Sequence, residues 1–88
     1  MSEINVERAG EGQFRVRVRE GESETAHEVA LTTEDFLRLG VSCRSPEELL
    51  ERSFRFLLER EPKESILPRF HIDEISRYFP EFESEIAG

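Results

Sequence analysis

Apolar and polar side chains alternate through the first third of the chain. Ile4 and Val6 stand at every second position of EINVER, Phe14, Val16 and Val18 do the same in QFRVRVRE, and Val29 and Leu31 close ETAHEVAL. Period-two alternation buries one face of a strand and wets the other. AGEG at 9–12 and GESE at 21–24 supply turn residues between the runs. Two tight connections in succession predict a three-stranded antiparallel meander with Phe14–Glu20 in the centre. A four-residue loop at 21–24 pairs Glu20 with Thr25. Phe14 then faces Leu31, Val16 faces Val29 and Val18 faces His27 on one side. On the other, Arg17 faces Glu28, with Arg15 and Arg19 opposite Ala30 and Ala26. A slip of one residue would carry Val29 and Leu31 onto the arginine face, against the hydrophobic pattern.

The period changes after Leu31. TTEDFLRLG has Thr32 or Thr33 as a cap, an acidic first turn and Gly40 just past the end, which predicts a short helix over 33–39. SPEELLERSFRFLLER is the strongest element. Ser45 is its N-cap, Pro46 its first helical residue, and Glu48 closes a capping box. Leu50, Phe54 and Leu58 share one stripe with Leu49 and Leu57 beside them, so a broad face is buried. Glu48–Arg52 and Glu51–Arg55 stand at i,i+4 on the wet side. Pro62 ends that helix and opens a short turn through Leu67, which Pro68 closes. FHIDEISRYF then reads as a last helix, with Phe70 and Ile75 as a hydrophobic staple, His71 at the cap and Glu74 reaching back to its N–H. Pro80 stops it, and EFESEIAG follows as an acidic tail holding Phe82 and Ile86. The predicted fold is α+β: a three-stranded antiparallel meander followed by two to four helices packing on one sheet face. It forms one small domain over 1–88, with strands within 1–31, helices within 32–80 and the tail at 81–88.

Composition narrows the function more than it identifies it. Eighty-eight residues leave room for one core. Hydrophobic and charged residues each make up 36% of the chain, a wet balance in which seven phenylalanines and the periodicity argue for folding over disorder. The formal charge of −8 repels phosphate backbones and anionic membranes. Cys43 is alone, MSEINVERAG carries no apolar signal core, and no run approaches a membrane span. A cytoplasmic protein is expected.

FLLEREPKESIL (56–67) and RYFPEFE (77–83), with the Ser-Pro-Glu-Glu helix start, resemble segments of a family of small bacterial proteins of unknown function. The resemblance runs from about Val6 to Ile86. It implies a bacterial cytoplasmic setting and carries no activity or functional residue.

Three surfaces remain as candidates. Arg15, Arg17 and Arg19 form a basic stripe about 14 Å long at strand spacing, the basis of a nucleic-acid-associated or antitoxin-like regulator. With Glu7, Glu20 and Glu28 as neighbours and no aromatic on that face, the stripe reads instead as a solvated ladder. Cys43 beside Arg44, before the cap of the long helix, could with His27 or His71 make a thiol–imidazole enzyme, but no third orienting residue is identifiable. One cysteine and two scattered histidines lack metal-ligand spacing, and AGEG is not followed by the Lys-Ser or Lys-Thr of a phosphate loop. Neither metal nor cofactor is expected, and catalysis is disfavoured. Tyr78, Phe79 and Phe82 crowd the C-terminal end, with Glu81, Glu83 and Glu85 as a polar rim. They suit a non-enzymatic protein–protein interaction module, binding another protein or a second copy of the chain.

Overall fold

The alternating segments form β1 (Glu3–Gly10), β2 (Gln13–Glu20) and β3 (Ser23–Ala30), an antiparallel meander, in the computed structural model, which describes residues 2–87. β2 is central and carries the cleanest pattern: Phe14, Val16 and Val18 are buried, while Arg15 and Arg19 are exposed. The β2–β3 register differs from the expected one. Phe14 pairs with Val29, Val16 with His27, Val18 with Thr25 and Glu20 with Ser23. The turn is Gly21–Glu22 alone. Gly21 takes φ 62° at the first central position and Glu22 has no positive φ, the pattern of a II′ hairpin. The discrepancy is two residues, so each side chain keeps its predicted face. The correction falls on the arginines, since Arg15, not Arg17, lies opposite Glu28 and Arg17 lies opposite Ala26.

Among the described residues, four helices and a fourth strand complete an α+β fold. α1 (Thr33–Leu39) is capped by Thr32, with Asp35 completing the capping box. α2 (Pro46–Leu58) starts on Ser45, whose hydroxyl accepts the Glu48 N–H. The Glu48 side chain accepts from the Arg44 N–H rather than from Ser45. The long helix ends at Leu58, short of Pro62, and a 3-10 turn at Lys63–Ser65 follows. The chain's one lysine is the buried residue of that turn. Its ammonium lies 3.3 Å from Glu20 and 2.6 Å from Glu64, which fastens the turn to the end of β2.

The segment read as the start of the last helix is instead β4 (Arg69–His71), paired in parallel with β3. α3 occupies only Asp73–Tyr78. The cap moves with it: the N-cap is Ile72 rather than His71 and has no side-chain cap hydrogen bond, although Glu74 still accepts the His71 N–H at 2.8 Å and the His71 ring accepts the Asp73 N–H. The acidic tail is not a tail. It forms α4 (Phe82–Ala87), with Phe82 and Ile86 buried in the core.

The core lies between one sheet face and the helices. Phe14, Val16, Val18 and Val29 meet Leu49, Leu50, Phe54 and Leu57 of α2, with Ile72, Ile75 and Phe82 closing the end. His27 is buried among them, 5.3 Å from Phe54. Its Nδ1–H donates to the Leu67 carbonyl and its Nε2 accepts the Thr25 hydroxyl, both at 2.8 Å. That tautomer satisfies both ring nitrogens in an apolar setting. Among the described residues, no helix is long and apolar enough to cross a membrane.

Candidate functional site

The C-terminal end of α2, the 3-10 turn, β4 and α3 enclose an apolar groove of about 200 Å³. Leu57, Ile66, Phe70 and Ile75 form its buried floor, Phe79 a half-buried wall, and Leu67 and Tyr78 its exposed lips. Leu67 is 44% and Tyr78 68% exposed, unusual for such side chains beside a groove. Glu61 and Glu74 supply its acidic groups, and no arginine or lysine lines it.

The backbone that shapes the groove is fastened to the sheet. The Leu67 carbonyl accepts from buried His27, the Pro68 carbonyl from the Glu28 N–H, and the Ile72 N–H donates to Ala30. The lip is therefore held by the core, which preforms the groove. FLLEREPKESIL and RYFPEFE converge here, the first supplying Leu57, Glu61, Ile66 and Leu67 and the second Tyr78 and Phe79.

Behind Phe79 the groove is braced by an aromatic stack. Phe56 meets Phe79 and Phe82 edge-on at 5.9 and 5.1 Å. The Arg60 guanidinium covers Phe56 at 3.5 Å, donates to the Phe56 carbonyl, and reaches Glu81 at 3.2 Å and Glu85 at 2.9 Å. One planar fork thus joins the end of α2 to α4. Arg60→Ala is expected to lower stability by about 1–2 kcal/mol through lost packing and ion pairs, and Arg60→Lys to restore little of it. Amide hydrogen exchange should show faster opening of α4 than of the sheet, and uniform acceleration would contradict this local role.

The three candidate aromatics separate. Tyr78 is open to solvent, Phe79 is half-buried, and Phe82 has no exposed surface at all. Phe82 therefore belongs to the core and offers nothing to a partner. Leu67 belongs to the surface instead. Its place inside a polar segment hid it, and only the fold brings it beside Tyr78.

The arginine stripe is interleaved with acid. Arg19 lies between Glu3 and Glu24, and Arg15 between Glu7 and Glu28. Arg15 bonds Glu28 at 2.9 Å, and Arg17 reaches Glu7 at 3.6 Å. Four glutamates thus flank three arginines on the open sheet face, which gives phosphate no net positive surface.

Cys43 is half-buried, and burial pushes its thiol up; nearby Glu48 adds to this and Arg52 opposes it. A nucleophilic cysteine needs the opposite shift. The ring nitrogens of both histidines are engaged elsewhere. His71 Nε2 lies 3.1 Å from Asp35, and its Nδ1 accepts the Asp73 N–H. Asp35, His71 and Asp73 converge closely enough to suggest ligands for a cation. Arg38 already occupies that space, paired with Asp73, with Glu83 at 3.1 Å and with Asp35 at 3.8 Å. The cluster reads as an ion network joining α1, α3 and α4.

No family model, curated protein or solved structure matches the chain.

Proposed function

We propose that the protein is a non-enzymatic protein–protein interaction module that binds through the groove between Leu67 and Tyr78. The observation that carries this reading is the pairing of a preformed apolar floor with two large exposed side chains at its lips. Its volume of about 200 Å³ falls below the usual range of small-molecule sites. A cleft of that size takes one or two anchoring side chains, as interface hot spots do. The lone half-buried thiol and the resemblance to small bacterial proteins support a bacterial cytoplasmic setting.

The test compares capture from native extract by the wild-type chain and by a Leu67→Ser, Tyr78→Ser double variant, with and without nuclease. Both side chains are substantially exposed, so the double variant should unfold within about 1 kcal/mol of wild type. A partner retained by wild type, lost to the double variant and indifferent to nuclease is the expected result. Recovery indifferent to the double change would remove the groove from the reading. Recovery abolished by nuclease would favour the arginine face and a nucleic-acid role.

A further inference from the structure

Resting on that reading, we infer that the groove's occupant is a short peptide segment of another protein, carrying an aliphatic or aromatic anchor flanked by arginine or lysine. The floor selects the anchor, because it is lined by Leu57, Ile66, Phe70 and Ile75, with Phe79 as the wall beside it. The acidic groups select the flanks. Glu61 and Glu74 are the charged residues of the groove, and among the described residues neither forms an ion pair. Glu74 accepts only the His71 N–H, which holds the carboxylate in place without neutralising it. Much of the remaining surface is arranged differently, with Glu7, Glu28, Glu48, Glu51, Glu81 and Glu85 each within 4 Å of an arginine. Unneutralised carboxylates at an apolar cleft favour a cationic partner and repel an anionic one.

The same charge argues against a second copy as occupant. Two chains of formal charge −8 repel as they approach. The chain's own candidates also fit poorly: Phe82 and Ile86 of α4 are committed to their own core, and beside exposed Leu37 the adjacent cation, Arg38, is already paired with Asp73 and Glu83. A basic segment from another protein meets neither obstacle and is steered inward by the net charge.

A phage-displayed library of random dodecapeptides, selected on the full chain and counter-selected on the Leu67→Ser, Tyr78→Ser variant, tests this. Neutral truncations remove the lips and leave Glu61 and Glu74 in place. Groove-dependent binders are expected to carry an apolar anchor and a net positive charge. For a synthetic copy of such a binder, Glu61→Lys should weaken binding about tenfold, as should a rise in salt from about 0.05 to 0.5 M. Tyr78 is the one tyrosine in a chain without tryptophan, so its fluorescence reports occupancy by a peptide that carries neither residue. Groove-dependent binders that are neutral or acidic, or insensitive to Glu61→Lys, would overturn the charge inference and leave the interaction reading standing. Selection that yields no groove-dependent binder would overturn both. Sedimentation showing a dimer that the double variant abolishes would assign the groove to a second copy instead.

Discussion

Phe82→Ala is expected to lower the unfolding free energy by about 3–5 kcal/mol, the range for deleting a fully buried phenylalanine. A domain of this size holds about 5–10 kcal/mol in total, so the variant should stand near the edge of folding. Phe82 has no exposed surface and packs edge-on against Phe56, which itself lies beneath Arg60. The relaxation that could soften the loss is limited, because Glu81 and Glu85 hold α4 against Arg60 from the outside. Urea unfolding followed by circular dichroism should show a lower midpoint with an unchanged slope. Glu83→Ala, one residue away and exposed, should cost less than about 1 kcal/mol. A loss at Phe82 of similar size to that at Glu83 would mean that α4 is not part of the cooperative core.

What was legible in the sequence followed from periodicity long enough to accumulate. Eight-residue alternation placed β1, β2 and β3, and a thirteen-residue amphipathic run with Ser45 and Pro46 placed α2. Face assignment survived the wrong loop length because strand parity tolerates a two-residue error. The misses lie where segments are short and tertiary partners decide. Arg69–His71 is a strand only because β3 offers Glu28–Ala30 as a parallel edge. Three residues between a proline and a helix carry no period of their own. EFESEIAG looked acidic because charge outnumbers apolar residues there, yet Phe82 and Ile86 stand four apart on one helical face. That spacing was the available signal.

The groove was half legible. Clustered aromatics in RYFPEFE lie at the end of the molecule where the groove forms, but sequence cannot decide which ring the helix turns inward. Tyr78 and Phe82 also stand four apart, yet Phe79 C-caps α3 and α4 begins at Phe82, so the two rings belong to different helices. One ends in solvent and the other in the core. Leu67 reached the site through the His27–Leu67 hydrogen bond, a contact spanning forty positions. The arginine stripe, by contrast, was correctly placed beside glutamates, and only the partner within each row changed with the register.

Asp35→Ala is expected to cost about 2–3 kcal/mol, through loss of a helix cap and exposure of unmet donors. Asp35 is buried, and its Oδ2 accepts the Thr32 N–H at 2.9 Å and the Thr32 hydroxyl at 2.8 Å, with His71 Nε2 at 3.1 Å. Burial alone would push this carboxyl up. The Thr32 donors outweigh it, with help from His71 and from the charge of Arg38, and hold it below its ordinary value of 3.8. A carboxyl lowered on folding contributes stability that is fully present above its unfolded value and is lost as pH falls through the folded one. Asp35→Asn separates charge from shape, because asparagine keeps an acceptor oxygen without the ion. Its deficit against wild type should be largest near neutral pH and shrink below about pH 4. Glu20, Glu64 and Glu81 are also held low, by Ser2, by Lys63 and by a backbone hydrogen bond respectively, but they are common to both proteins and cancel in the difference. Urea midpoints between pH 7 and pH 3 supply the comparison. A deficit constant across that range would assign the role of Asp35 to its shape and hydrogen bonds, leaving its charge without a part in joining α1 to β4.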